Sequence, residues 1–503
     1  MNLRAVGWLL GCVLLLLASF LLVPAVVALF HGENVVARAC SLSALTCVIG
    51  GGLLVLLNRG STLNAEGRLD YFRREGLAVV GLTWLLAGVG GALPYLFSGY
   101  LTSPVDAFFE AASGFTTTGS TILRPEQIDG LPKGLSFWRS FTHWLGGIGI
   151  VMVFVVLFPT GGRSLFRSEV PGIAREASRQ RVRDSALALV RIYVGLTAAQ
   201  VVLLRLSGID WFDAVLHAFA TLATGGFSSH SSSIAYFGSW VVELIMIVFM
   251  FAAGLNFAIY DATLRLGPRS AWRLALGSSE IRWYAGIAAG STAAIALALW
   301  LWGGSNGDAA VPLPDYSSFL LSLRDAAFNV VSIQTSTGFG TADFDRWPQF
   351  CRVLLMILAV IGACAGSTGG GIKIVRFLIV GRAALRGLRQ FARPRAINVV
   401  RMDGETLDEG VVASVTGYFA LWVLVLLGGT LALCLLGLEP VGSMTAVLAT
   451  LNNIGPGLAG VGPYMNFAEL PAVGKVLLSV LMILGRLEFY AMAVLLLPDF
   501  WRR

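Results

Sequence analysis

Long apolar runs alternate along this chain with short polar stretches rich in arginine. Runs over 6–30, 40–57, 77–96, 137–158, 186–206, 241–260, 284–301, 411–436 and 476–497 carry few charges. A helix needs about 20 such residues to cross a bilayer. A further run over 353–362 is interrupted by glycines and resumes at Ile372. The pattern predicts ten spanning helices and four shorter, half-apolar segments. Residues 1–30 read as a retained first helix: no small-residue cleavage site follows, and a second run arrives at once.

Between paired runs a short glycine motif occurs four times. The copies are Thr116-Thr117-Thr118-Gly119-Ser120, Ala223-Thr224-Gly225-Gly226-Phe227, Thr335-Ser336-Thr337-Gly338-Phe339 and Asn453-Ile454-Gly455-Pro456-Gly457. Gly119, Gly225, Gly338 and Gly455 recur at intervals of roughly 105–120 residues, which points to internal repetition of one hairpin. Asp106, Asp213, Asp325 and Ser443 precede them, each followed by a short apolar segment. Such residues favour helix starts, where backbone N–H groups lack partners. Each segment is therefore expected to be a short helix with that residue near its start (the first reading from Pro104), too short to cross and so re-entrant. Non-helical backbone at membrane depth is tolerated only when buried in protein or lining water. A surface turn explains any one motif equally well, but not four copies in the same setting.

The expected fold is an all-α polytopic membrane protein. Four pseudo-symmetric units of helix, short helix, loop and helix surround one axis, behind an N-terminal two-helix hairpin. The units fall at 1–60 for the hairpin, then 70–165, 184–265, 281–382 and 411–503, with a polar linker over 383–410.

Composition agrees. Hydrophobic residues make up 56% of the chain and charged residues 13%, against about 25% charged in soluble domains. Arginines gather in every second loop: Arg59 to Arg74, Arg163 to Arg183, Arg265 to Arg282, Arg376 to Arg395, and Arg502 with Arg503. The positive-inside rule assigns these loops, and both termini, to the cytoplasm. The net charge of +7 is then an orientation signal with some attraction for anionic membrane lipid, and calls for no nucleic acid. The six cysteines show no metal-type spacing and read as structural thiols. The four histidines are scattered.

Glycine adopts left-handed angles that other residues resist, so successive carbonyls in such loops can turn toward one axis and replace water around a cation. No acidic residue lies in the four motifs. Rings of Asp or Glu are what cation channels use when side chains set the charge; their absence here favours a monovalent ion. Two further features stand out. Ala365-Gly366-Ser367-Thr368-Gly369-Gly370-Gly371 breaks a spanning run, although each glycine costs about 1 kcal/mol in a helix relative to alanine. A phosphate loop is excluded because Ile372 stands where its lysine belongs. An unwound segment bent into the ion path and a close helix-packing surface remain. Arg486 lies deep in the last run, where a charge costs at least about 2.5–3.5 kcal/mol. Glu488 is two residues away, on another helical face, so Arg486 is expected to face water or a different partner.

The four motifs, the paired helices and Trp144-Leu145-Gly146-Gly147-Ile148-Gly149 together resemble the Trk/Ktr/HKT potassium-transporter superfamily, in its TrkH branch. The resemblance implies that the four glycines belong to a filter for K+, the transported ion. Main-chain carbonyls of Thr117, Thr118, Ala223, Thr224, Ser336, Thr337, Asn453 and Ile454 would hold it. Gly366, Ser367, Thr368, Gly369, Gly370 and Gly371 would form an intramembrane gate, with Arg486 facing the pore beneath the filter. It also implies a homodimer in the bacterial inner membrane and a TrkA-like cytoplasmic nucleotide-binding ring as partner. The polar hairpin expected around Asp403-Gly404 suits docking of that ring. A secondary symporter coupling potassium to protons or sodium is the alternative. It would need titrating groups inside the spans, where Glu243 and Glu488 lie only near the ends. An enzyme is not expected, since no nucleophile–base pair or metal cluster falls at mid-depth.

Overall fold

A computed structural model describes residues 2–58, 73–149, 179–303, 316–395 and 398–487, with 489, 492, 495 and 497–501. Glu488, the arginines between 59 and 72 and between 163 and 175, the end of the 137–158 run, and Arg502 and Arg503 lie outside the described residues.

The chain opens with α1 (Leu3–Phe30) and α2 (Asn34–Leu57). Their backbones touch where glycines face each other. A Cβ on Gly51 would lie 2.8 Å from the Gly11 carbonyl oxygen. This hairpin packs on the first repeat, formed by α3 (Arg73–Phe97), α4 (Pro104–Phe115), α5 (Pro125–Asp129) and α6 (Lys133–Ile148). The second repeat comprises α7 (Arg179–Leu206), α8 (Trp211–Leu222), α9 (Trp240–Ala253) and α10 (Phe257–Leu266), and α11 (Pro268–Gly277) leads out of it. The third holds α12 (Ser279–Trp302), α13 (Phe319–Gln334), α14 (Gln349–Val360) and α15 (Ile374–Ala392). Strands β1 (Arg401–Met402) and β2 (Glu405–Thr406) pair about the Asp403-Gly404 turn. The fourth repeat has α16 (Glu409–Leu435), α17 (Pro440–Leu451) and α18 (Ala472–Arg486); α19 (Pro498–Trp501) follows. Apart from the β1–β2 hairpin the regular structure of the described residues is helical, with four related units. Leu42, Ile49, Leu424 and Leu431 on α2 and α16 are exposed, as a lipid-facing surface requires.

Among the described residues six helices are long and apolar enough to cross a membrane, or seven with one bent pair. The sequence predicts ten. The difference lies in α6, which runs out of the described residues, in the broken pair α14 and α15, and in α18, which ends at Arg486. The run 241–260 is also not one helix: α9 and α10 meet at 89°. Gly254 closes α9, and the Asn256 side chain starts α10 anew by accepting the Ala258 N–H at 2.9 Å.

Asp106 and Asp213 lie in the first turns of α4 and α8, whereas α13 begins at Phe319, well before Asp325. Ser103 caps α4, Asp210 caps α8 and Ser318 precedes α13. The Glu439 carboxylate caps α17, accepting the Val441 and Gly442 N–H groups at 3.0 and 2.8 Å. Asp106, Asp213, Asp325 and Ser443 are therefore not caps. Three of them pin the helices sideways. Asp106 pairs with Lys475 of α18 at 2.6 Å. Asp213 accepts from Ser229 at 2.7 Å, and Asp325 accepts from Tyr316 at 3.1 Å. Ser443 is buried, and its hydroxyl makes no hydrogen bond among the described residues.

Polar contacts stitch every seam between repeats. Repeats four and one meet through Lys475–Asp106, two and three through Glu243–Arg324 at 2.5 Å. Arg139 pairs with Glu110 at 2.7 Å inside the first repeat and donates to the Ser228 carbonyl of the second at 2.8 Å. Between three and four, Asp345 accepts the Ala459 N–H at 2.9 Å. Removing one partner of a buried pair such as Arg139–Glu110 costs about 3–5 kcal/mol, so these seams hold the four units in fixed register.

Gly51→Leu should force α1 and α2 apart and destabilise the fold by about 1–3 kcal/mol, the usual penalty of overpacking. Thermal unfolding in detergent measures it; an unchanged midpoint would contradict the backbone contact.

Candidate ion-binding site

Each re-entrant helix ends the same way. After the last turn comes one residue in the left-handed region: Thr117 (φ 54°), Thr224 (54°), Ser336 (57°) and Asn453 (52°). Its N–H bonds back to Gly114, Thr221, Ile333 and Thr450, respectively. The next N–H, of Thr118, Gly225, Thr337 or Ile454, reaches the carbonyl of Ser113, Ala220, Ser332 or Ala449 at 2.8–2.9 Å. This pair of bonds is the Schellman closure of a helix, usually built on glycine. Four non-glycine residues occupy it here, at about 1–3 kcal/mol each of backbone strain.

A second positive-φ residue follows two positions on: Gly119 (82°), Gly226 (79°), Gly338 (83°) and Gly455 (100°). These four glycines form a closed ring of contacts. A Cβ on Gly119 would lie 2.2 Å from the Gly225 carbonyl oxygen. One on Gly226 would meet the Thr337 oxygen at 2.1 Å, one on Gly338 the Ile454 oxygen at 2.0 Å, and one on Gly455 the Thr118 oxygen at 2.9 Å. Each loop thus presses its glycine Cα against the carbonyl preceding the glycine of the next loop. The four loops converge on a shared centre.

The ring corrects one register. In the second loop the residue equivalent to Gly119, Gly338 and Gly455 is Gly226, not Gly225. Ala223 is the last-turn residue of α8, matching Thr116, Thr335 and Asn452. The carbonyl pair at the level of Thr117 and Thr118 is accordingly Thr224 and Gly225. Thr117, Thr118, Ser336, Thr337, Asn453 and Ile454 sit at the positions expected of them relative to their glycines.

The supports of the loops differ. Hydroxyls of Thr116 and Thr118 bond at 2.7 Å, as do those of Thr335 and Thr337. Loops two and four lack these hydroxyls. Instead the His143 ring packs under Gly225, with Nδ1 donating to the Gly114 carbonyl at 2.7 Å and Nε2 accepting the Phe227 N–H at 3.3 Å. Asn453 donates to the Thr118 hydroxyl and to the Met482 carbonyl, both at 2.9 Å. His143 went unnoticed as one of four scattered histidines; its place in Thr142-His143-Trp144, just before the Gly146-Gly147 pair, was the available signal.

Beyond the Schellman turns, on the side away from the vestibule lined by Gly119, Gly226, Gly338 and Gly455, lies the break between α14 and α15. The Gly362 N–H bonds the Ile372 carbonyl at 2.9 Å, closing residues 362–372 into a loop. The Gly370 N–H meets the Ser336 hydroxyl at 2.5 Å, and a Cβ there would lie 2.3 Å from the Asn452 carbonyl. Cys364 and Thr368 bond the carbonyls of Gly254 and Ala253 at 3.1 and 3.2 Å. The kink between α9 and α10 is therefore the seat of this segment, because carbonyls freed by the bend accept its donors. Arg486 closes the group. Its guanidinium donates to the Thr117 hydroxyl at 3.0 Å, the Thr368 carbonyl at 2.9 Å and the Gly146 carbonyl at 2.9 Å. One cation thereby ties the first loop, the 362–372 segment and α6 together.

The TrkH sequence profile, described as a cation transport protein, matches residues 47–502. The chain belongs to the TrkH family of cation transport proteins. It is 36% identical over 511 residues to the Trk system potassium uptake protein TrkH of Escherichia coli K12, with 100% of each chain covered. It is 31% identical over 507 residues to TrkG of the same organism, covering 100% of this chain and 99% of that one. The crystal structure of the potassium transporter TrkH from Vibrio parahaemolyticus aligns with 100% of both chains at a TM-score of 0.85 and 33% identity. This TrkH-family chain is accordingly a membrane protein of a transporter family rather than of an enzyme family.

Gly370→Ala should unseat the 362–372 segment, since the Asn452 carbonyl cannot retreat without disturbing the fourth loop. In a Ser367→Cys background the thiol should then react faster with a water-soluble maleimide; an unchanged rate would contradict the seating.

Proposed function

We propose that this chain carries potassium into the cell through a gated, channel-like pore whose narrow part is the ring of four loops. The observation that supports it most is the cyclic glycine-to-carbonyl contact. It gathers main-chain oxygens from four loops at one level with no acidic side chain in the motifs, and neutral carbonyl dipoles suit a monovalent cation that must also leave. On this reading K+ is held by carbonyls of Thr117, Thr118, Thr224, Gly225, Ser336, Thr337, Asn453 and Ile454. The dipoles of α4, α8, α13 and α17 point their negative ends toward the same place. Gly119, Gly226, Gly338 and Gly455 permit the close approach.

The segment containing Gly366, Ser367, Thr368, Gly369, Gly370 and Gly371 is the gate. It lies across the inner end of the loops, and Arg486 both anchors it and sets a positive charge in the path. The relatives are named as parts of a Trk system, which supports a multi-component assembly. A homodimer in the inner membrane, with cytoplasmic termini and a TrkA-like ring beneath, is the arrangement we infer. The buried ionisable groups Arg139 and Glu110 are engaged with each other, which supports passive flux over coupled symport.

Deleting residues 365–371 should raise rubidium flux into liposomes; unaltered flux from a well-folded deletion would contradict the gate. Arg486→Ala should raise conduction about tenfold, the effect of roughly 1.4 kcal/mol off the barrier, and slower conduction would refute the role. Gly226→Ala, which meets backbone at positive φ, should abolish uptake more completely than Gly225→Ala, whose nearest obstacle is the His143 ring. The reverse order would contradict the corrected register. Flux with potassium, sodium, proton and voltage gradients varied separately decides between the pore and a symporter: the pore predicts flux that follows the potassium gradient and voltage alone.

A further inference from the structure

A carboxylate from outside the broken helix holds the 362–372 segment on its cytoplasmic side. Glu280, in the first turn of α12 and buried, accepts the Ala365 N–H at 2.6 Å. The backbone N–H of Val375, in the first turn of α15, also faces its carboxylate. Lys373, the N-cap residue just before α15, provides no side-chain cap. Glu280 therefore stands where a capping carboxylate belongs, at the positive end of that helix, and clasps the loop and the helix after it at once.

The next residue back along α12 is held in its turn. The N-cap residue Ser278 makes no side-chain cap bond. Instead Asp403, at the tip of the β1–β2 hairpin, accepts the Ser279 N–H at 3.1 Å and the Ser279 hydroxyl. Asp403 is aimed there by its left-handed turn (φ 48°). The hairpin stays beside α15 through Arg382, which donates to the Arg401 carbonyl. Hairpin tip, first turn of α12 and loop amide thus stand in series, each joined to the next by a charge-assisted hydrogen bond or by adjacent residues of one turn.

We propose that Glu280 is the positioning residue through which the cytoplasmic hairpin sets the seating of the 362–372 segment, with Asp403 as its outer anchor. This rests on the reading of that segment as the gate and adds the route by which a load on the cytoplasmic face reaches it. Pulling the hairpin away frees Ser279, lets the first turn of α12 shift, and leaves the half-buried Ala365 N–H without its acceptor. A donor partly shielded from water that loses its charged acceptor is unfavourable, so the seated conformation loses ground to the unseated one.

Rubidium flux into liposomes holding the full chain tests it, with folding checked by size-exclusion and thermal unfolding. Glu280→Ala should raise flux about tenfold, the weight of one lost charge-assisted hydrogen bond. Glu280→Gln keeps an oxygen acceptor and should stay near native, a rescue that mere loss of bulk does not explain. Asp403→Ala should raise flux less, and the double Ala variant should not exceed Glu280→Ala. Neither change should add to the 365–371 deletion. Effects that multiply in the double variant, or flux unmoved by Asp403→Ala, would overturn the series. So would Glu280→Gln matching Glu280→Ala. If Glu280→Ala does not fold, Asp403→Ala with and without the deletion decides: a rise only with the segment present supports the proposal, and a rise in both or neither overturns it. A deletion that leaves flux unchanged defeats the gate reading itself and this proposal with it; a deletion that raises flux while Glu280→Ala does not defeats this proposal alone.

Discussion

Four glycine Cα atoms packed against four carbonyl groups set the geometry of this molecule. At 2.0–2.2 Å from a virtual Cβ in three of the four contacts, no side chain fits between the loops. That closeness fixes how near the four repeats stand to one another. It dictates where the re-entrant helices must stop, and so where their Schellman turns fall. The seam contacts then follow as the means of holding four unlike units at that separation. Lys475–Asp106 and Glu243–Arg324 each join two repeats, the partners of each pair engaged with one another, so they act as struts.

The loops are not relaxed. Thr117, Thr224, Ser336 and Asn453 hold left-handed angles that cost about 1–3 kcal/mol apiece, and surrounding groups over-determine them. His143, Asn453 and Arg486 each bond to two or three elements at once. The first and third loops carry threonine pairs where the second and fourth do not, so the centre approximates fourfold symmetry in backbone and twofold symmetry in side chains. Arg486 links this rigid centre to the one segment that the sequence marks as breakable. Its guanidinium replaces water for the Thr117 hydroxyl and for two carbonyls, which answers the desolvation cost of a charge at that depth.

Much of this was legible in the chain. Glycine motifs flanked by apolar runs announced the four hairpins, and the glycines of 365–371 pointed to the break, although a helix-packing surface of small residues would have the same composition. Arg486 was legible as a charge deep in an apolar run. The register of the second loop was not. Gly225 and Gly226 are adjacent, and only the contact with the Thr337 carbonyl tells which of them takes the positive φ of the ring. Which residue caps each short helix was not legible, because aspartate serves equally as cap and as cross-link; Asp106 meets Lys475, 369 residues away. The 89° bend after Ala253 escaped because Gly254 and Asn256 are unremarkable in an apolar run until a partner segment takes up the carbonyls they free. Glu280 was invisible for a related reason: its meaning depends on Ala365, 85 residues on.

The central claim is that main-chain oxygens of all four loops hold one dehydrated cation. Anomalous diffraction from crystals of the protein soaked in thallium or rubidium tests it most directly. The account predicts a peak on the axis of the loops, within coordination distance of the carbonyl oxygens of Thr118, Gly225, Thr337 and Ile454. Anomalous density found only at carboxylates or in the outer vestibule, with none at that level, would contradict it.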